Sequence, residues 1–200
     1  MTSEQANDIF EQAIADYHVF DSIDHELENP YPISDPKHLF YLKCWIDCVQ
    51  WHMEDEVRKP SIDPSMGLYW KRRIDQSNQQ RTDTVEYIDS YFQQMFSQVV
   101  IQKNARINTE SPAWAFDRLS ILQLKIYHMR LEVIRENAGA AHQQQCQAKL
   151  LILLEQQKDL LTSIDELLND IAQGKKQMKV YRQLKMYNDP MLNPALYSSQ

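Results

Sequence analysis

Three glycines in 200 residues are too few to punctuate a chain that turns often. Gly67, Gly139 and Gly174 stand far apart, and the prolines gather mainly in ENPYPISDP, RKPSIDP, ESP and the C-terminal tail. Glycine and proline are the strongest local breakers, so the long stretches between them must each hold one backbone conformation. Their apolar residues recur three and four positions apart, which is the helical period. The pattern predicts helices over 3–24, 36–58, 64–98, 112–136, 140–173 and, shorter, 176–187. Asp35-Pro36, Asp63-Pro64 and Ser111-Pro112 each pair a capping oxygen with a proline suited to the first helical turn. Only Gln98–Ile101 has any strand character.

The expected fold is an all-α helical bundle of about five long helices plus a short C-terminal helix. It forms a single domain over 1–200, with the tail from 186 onward as a clasp or a lid. The fifth helix is scaffold: Leu150, Leu153, Leu154, Leu160, Leu161, Ile164, Leu167, Leu168 and Ile171 recur at heptad-like spacing along it. In the tail, Lys185-Met186-Tyr187-Asn188-Asp189-Pro190 reads as a helix end passing into a turn.

A hydrophobic fraction of 43% and a mean hydropathy of −0.58 are those of a folded, water-soluble chain. Twenty-one basic against 28 acidic residues give a net charge of −7, so no basic face is available for a phosphate backbone and no nucleic-acid partner is expected. No segment is apolar enough to span a bilayer, so no membrane association is expected. The first residues carry neither a basic leader nor an apolar run, and a cytoplasmic location follows as the expectation. Three cysteines, with Cys44 and Cys48 spaced i, i+4, suggest packed thiols rather than disulfides or zinc ligands.

Functional candidates come from helical phase, because residues three, four and seven apart share a face. On the third predicted helix Trp70, Ile74, Val85, Ile88, Phe92 and Val99 form an apolar stripe that Asn78 and Arg81 interrupt, with Lys71, Asp75, Thr82 and Asp89 on its flank. A buried arginine is costly unless a carboxylate or a ligand anion meets its donors. On the fourth, Ala115, Leu119, Leu122, Ile126, Met129 and Val133 make one stripe, and Leu124 and Leu131 part of another. Between the two run Asp117, Arg118, Lys125, His128 and Glu132, with Trp114 and Ile121. Gln123 and Arg130 mark the expected solvent side. On the second, Leu42, Ile46, Val49, Met53 and Val57 form the expected core stripe, opposite Trp51, Glu54, Asp55 and Arg58, with His52 between. A tryptophan among charges either packs on another element or walls a pocket.

These positions have a purely structural reading as well: Asn78 and Arg81 as a register-setting network, Arg118, Lys125 and His128 as a solvated face. His52, Glu54 and Asp55 lack the i+4 histidine of common metal motifs, so no metal ligand set is assigned and no cofactor is expected, a divalent cation being the one option left open. P-loop, dinucleotide-binding, zincin and nucleophile-elbow motifs are all missing. Glu86 and Asp89 form E-x-x-D without a partnering E-x-x-E.

WHMEDEVR (51–58), KRRIDQSNQQRTD (71–83), NTESPAWAFDRLSILQLKIYHM (108–129) and YRQLKMYNDPMLNP (181–194) together resemble the bacterial family called domain of unknown function 4254. The resemblance implies an all-helical protein of a kind often encoded beside glycosyltransferases for surface polysaccharide. Its matching positions include His52, Glu54, Asp55, Arg58, Asp75, Asn78, Arg81, Asp117, Arg118, Lys125 and His128. Trp114-Ala115-Phe116 depart from the smaller residues expected there.

The sequence therefore leads to two expectations. In one, the second, third and fourth helices enclose a polar pocket for a small anionic metabolite, such as a phosphorylated sugar or nucleotide sugar. Arg58, Asp75, Asn78, Arg81, Asp117, Arg118 and Lys125 would bind it, and His52, Glu54, Asp55 and His128 would move protons. In the other, the polar networks only fix register, and the chain is a homodimer or an adaptor for a protein partner. The first expectation leaves open whether the chain is an enzyme, and the second makes it non-catalytic.

Overall fold

A computed structural model describes residues 1–183, 186 and 189–197. It is all-α, with α1 at Ser3–Phe20, α2 at Lys37–Val57, α3 at Pro64–Met95, α4 at Pro112–Ile134 and α5 at Ala140–Ala172. These are the five long helices that the breakers predict. Among the described residues no helix is long and apolar enough to cross a membrane.

Local chemistry fixes most of the boundaries. Thr2 and Gln5 form a capping box ahead of α1. The Lys37 N–H donates to Asp35 Oδ1 at 2.9 Å and the Ser65 N–H to Asp63 Oδ1 at 2.8 Å, so both aspartates cap as expected. The start of α4 is held twice. Ser111 Oγ accepts from the Trp114 N–H at 3.5 Å, while its own hydroxyl donates to Asp89 Oδ2 at 2.7 Å. The Ala113 N–H donates to Asp89 Oδ1 at 3.2 Å. Asp89 thus carries a buried negative charge from α3 to the positive end of α4. Burial pushes its carboxyl upward, against the bonds from Ser111 and Ala113.

The helix ends fall short of the expected ones in places. α1 stops at Phe20 rather than 24, because Asp21 turns left-handed at φ 47°, ψ 46° and its N–H returns to the Tyr17 carbonyl at 2.9 Å. The expected helix at 176–187 is absent from its described part. Lys176–Gln177 (β2) instead pair in parallel with Arg106–Ile107 (β1), so among the described residues strand forms there and not at 98–101. Gly174 makes this turn possible. Its φ is +68°, its carbonyl receives the Gln102 N–H, and a Cβ would stand 2.3 Å from the Val100 carbonyl oxygen. The short C-terminal helix, α6, is Pro194–Tyr197. Of the expected tail turn, Lys185, Tyr187 and Asn188 lie outside the described residues.

α4 is the hub, packed against α1, α2, α3 and α5. Phe10, Phe40, Phe92 and Phe116 pack face and edge in the main core, with Phe92 and Phe116 stacked 5.5 Å apart. Leu122, Ile126 and Leu150 seed a second apolar cluster between α4 and α5. On α2 the buried apolar residues are Phe40, Tyr41, Cys44, Trp45, Cys48 and, from the expected stripe, Met53, while Leu42, Ile46 and Val49 are half-buried. The expected stripe is rotated because α2 is wedged between α1 and α3 and buries two faces. Gln123, expected on the solvent side of α4, is also buried, its amide donating to Asn7 on α1. A helix with four neighbours has little solvent side to spare.

Candidate functional site

Lys43 on α2 is fully buried, four residues from buried Asp47 and within one helical turn of it. Its ammonium donates to Asp47 and reaches across to Asp117 on α4, 2.9 Å from Oδ1 and 3.1 Å from the backbone carbonyl. Arg81 on α3 closes the group. Its Nε and Nη2 donate to Asp117 Oδ1 and Oδ2 at 2.9 and 2.6 Å, and Nε lies 3.4 Å from Asp47 Oδ1. Ser120 Oγ donates to Asp47 Oδ2 at 2.6 Å. Two cations and two carboxylates therefore balance in the interior, which removes most of the cost of burying any one of them.

The two aspartates are not equivalent. Burial works to raise the Asp117 carboxyl, but Lys43 and Arg81 outweigh it and hold the group below its ordinary value. At Asp47 burial prevails, helped by the Asp117 charge, and pushes the carboxyl up against Lys43 and Arg81. Arg81 is raised: burial disfavours its charge, but Asp117 and Asp47 more than compensate.

A cavity of about 380 Å³ opens above this network, lined by Asp47, Gln50, Trp51, Glu54, Asp55, Arg58, Arg81, Ile121 and Leu124. Asp47 and Arg81 form its base, Trp51, Ile121 and Leu124 give apolar walls, and Glu54, Asp55 and Arg58 contribute charges. Arg58 Nη1 donates to the Glu54 carboxylate at 2.6 Å. Gln50 is held by α3: its amide donates to Asn78 Oδ1 at 3.0 Å, and Ser77 Oγ donates to its Oε1 at 3.2 Å. Arg81 commits Nε and Nη2 to the network, which leaves Nη1 for a ligand.

The residues singled out from the sequence divide into three groups. Glu54, Asp55, Arg58 and Arg81 line the cavity, Trp51 walls it, and Asn78 and Asp117 hold its base in place. His52 and His128 lie beside it: Trp51 stacks on His128 at 4.6 Å, and Asp55 Oδ2 is 4.0 Å from His52 Nδ1. Asp75, Arg118 and Lys125 are elsewhere. Asp75 pairs with Lys71 on α3. Arg118 is exposed and bonds Glu110 through Nε and Nη2, and Lys125 lines a groove between α4 and α5. The charged strip of α4 is thus divided, with Asp117 inside and Arg118 and Lys125 outside.

Sequence reasoning passed over Lys43, Asp47 and Gln50. The signal was a lysine and an aspartate four apart, flanked by Phe40, Tyr41, Cys44, Trp45 and Cys48. It also passed over His18 on α1, whose ring meets those of His52 and His128 at 5.4 Å each. Burial, with the neighbouring imidazoles, lowers His128 to about 4. His18 is lowered too, by burial first and then by His52, although its bond to the Ile14 carbonyl works the other way.

Comparison with curated proteins and with solved structures finds no match. The family model described as "Protein of unknown function (DUF4254)" matches residues 37–180. That span runs from the first residue of α2 through α5 and contains every residue of the cavity, while His18 precedes it. The cavity and its charge network are therefore built wholly from the matched segment, and the chain belongs to the DUF4254 family.

Proposed function

We propose that the cavity between α2, α3 and α4 binds a small anionic metabolite with a flat or ring-shaped body, a phosphorylated sugar or a nucleotide sugar. The observation that carries this is the geometry of Arg81. Its Nε–Nη2 edge is clamped by Asp117, and the guanidinium stands at the base of a cavity walled by an indole. A clamped guanidinium loses little freedom when it bonds an oxyanion, so its remaining donors are pre-organised. Trp51 supplies a face for stacking, Glu54 and Asp55 accept from hydroxyls, and Arg58 exchanges Glu54 for a phosphate oxygen. Proton transfer, where it occurs, falls to Asp55 and Glu54, with His52 behind Asp55. The family resemblance adds surface-polysaccharide metabolism in the cytoplasm as the setting.

The test is thermal unfolding of the full chain with glucose 1-phosphate, UDP-glucose and inorganic phosphate. A ligand at a hundred times its dissociation constant adds about 2.7 kcal/mol. The midpoint rises with a sugar phosphate, and Trp51→Ala or Arg58→Ala removes the rise while leaving the unliganded protein folded. If millimolar concentrations of all three probes leave the midpoint unchanged, the reading fails.

One observation favours a second reading. Lys43, Asp47, Arg81 and Asp117 already satisfy one another, as a network that only sets helix register would. On that reading the chain acts through a second copy or another protein. Sedimentation showing a monomer with no partner removes it.

A further inference from the structure

We propose that His18, His52 and His128 bind a divalent first-row transition cation of the zinc class, with the Asp21 carboxylate as an exchangeable fourth ligand.

Three separate helices, α1, α2 and α4, each bring one imidazole to the same point, and the nitrogen that each offers lies within 4.8 Å of the other two. The rings do not stack on one another. Each pair of planes is inclined, by 64° for His18 and His52, 72° for His18 and His128, and 66° for His52 and His128, like blades about a common axis. Two imidazole nitrogens bound tetrahedrally at about 2.0–2.1 Å from zinc stand about 3.3 Å apart. His18 Nε2 and His52 Nε2 are 3.4 Å apart.

Protonation chemistry agrees with the geometry. His18 Nδ1 lies 2.7 Å from the Ile14 carbonyl, which fixes the proton on Nδ1 and leaves the Nε2 lone pair directed at the cluster. A hydrogen bond from His52 to His18 would satisfy those two rings in the absence of a cation. It does nothing for His128, whose Nε2 is buried without a hydrogen-bond partner. A buried ring nitrogen without a partner is rare in a folded protein, and in the tautomer that carries its proton on Nδ1 a cation supplies what Nε2 lacks. Aromatic packing also holds each of the three rings in place. Tyr127 packs on His18 at 4.2 Å, Tyr17 stacks on His52 at 5.3 Å and Trp51 on His128 at 4.6 Å. Asp55 faces His52 Nδ1 from the cavity side.

Asp21 stands at the rim of the set, near His52 and outside the cluster of three nitrogens. Its left-handed backbone at the end of α1 brings Oδ1 to 3.5 Å from His52 Nε2, and its side chain is 62% exposed. Three neutral nitrogens and one carboxylate oxygen suit zinc, cobalt or nickel rather than calcium or magnesium. A second cluster, Glu132, His142 and Cys146, is close enough to compete for a cation, but its members already pair: His142 Nε2 lies 2.8 Å from Glu132 and 3.3 Å from Cys146 Sγ.

The test uses the full chain, freed of metal by dialysis against a chelator and titrated with Co²⁺, then Zn²⁺. One equivalent of Co²⁺ produces the visible d–d absorption of a low-coordinate centre without a thiolate-to-cobalt band, and Zn²⁺ displaces it. Nitrogen-15 spectra of the unsubstituted protein show three of the six histidine rings shifting on Zn²⁺ addition. His52→Gln and His128→Gln each weaken binding about a hundredfold or more, whereas His142→Gln and Arg58→Ala leave it unchanged. A thiolate band, loss of binding in His142→Gln, or no uptake of either metal at micromolar concentration overturns the proposal. The ring spectra decide the matter even where a histidine variant fails to fold. Because Arg58→Ala damages only the cavity, failure of the sugar-phosphate reading and failure of the metal site are told apart.

Discussion

Two polar groups share α2 and α4, one completed by α3 and the other by α1, and they are finished to different degrees. The Lys43–Asp47–Arg81–Asp117 network balances its charges: opposite charges are equal in number, and Ser120 bonds the Asp47 oxygen that Lys43 also meets. The histidine cluster is open, with one buried nitrogen unmatched and the His18 and His128 rings held neutral by burial. A group whose charges balance holds itself in place without help, even where one edge, Arg81 Nη1, still faces the cavity. One that is pre-oriented yet unsatisfied asks for something from outside. The cavity lies between them, taking Asp47 and Arg81 from the first, and Trp51 and Asp55 from the border of the second.

The contrast breaks most sharply at Asp117. Asp117→Ala takes from Lys43 its cross-helix carboxylate and from Arg81 its bidentate partner, and it costs about 3–5 kcal/mol in denaturant unfolding. A loss under about 1 kcal/mol would mean that the network is already wetted. At the histidines the expectation reverses. His128→Leu in metal-free protein removes an unmatched buried nitrogen and changes stability by less than about 1.5 kcal/mol at neutral pH, since no hydrogen bond is lost.

The same variant tests the electrostatics. A base lowered to about 4 in the folded state keeps its contribution above the ordinary histidine value near 6.5. Below that, the unfolded chain takes up a proton that the folded chain refuses, and stability falls as pH drops from about 6.5 toward 4. Unfolding free energies measured at successive pH values should show this decline in the parent protein and a shallower one in His128→Leu. Equal slopes would count against a neutral His128. The smallest effect is expected at the rim, where Arg58→Ala breaks an exposed pair with Glu54 and costs less than about 1 kcal/mol. Any larger loss would make Arg58 part of the scaffold instead of the ligand-exchangeable edge.

The helices were legible from the sequence because glycine and proline are scarce and Asp35, Asp63 and Ser111 mark starts chemically. Half the cavity was legible too. Trp51 among the charges of Glu54, Asp55 and Arg58, and Arg81 within an apolar stripe, each conflict with the face they occupy, and such a conflict is visible in one helix alone. Lys43 and Asp47 escaped notice because α2 buries two faces, so its apolar stripe gave the wrong rotation. Arg118 and Lys125 were drawn inward for the opposite reason: phase shows that a strip is charged, but not whether a neighbour covers it. His18 is a tertiary fact. Nothing within α1 marks it, and its partners lie 34 and 110 positions along the chain.

The four-membered charge group has an evolutionary corollary. Because Lys43 touches both aspartates and Arg81 touches both as well, no member can drift alone without stranding a charge among apolar neighbours. Tolerated changes at these positions must be epistatic. A library randomising all four together should return quartets that are either electroneutral or wholly apolar, and single-step routes between the two kinds should be closed.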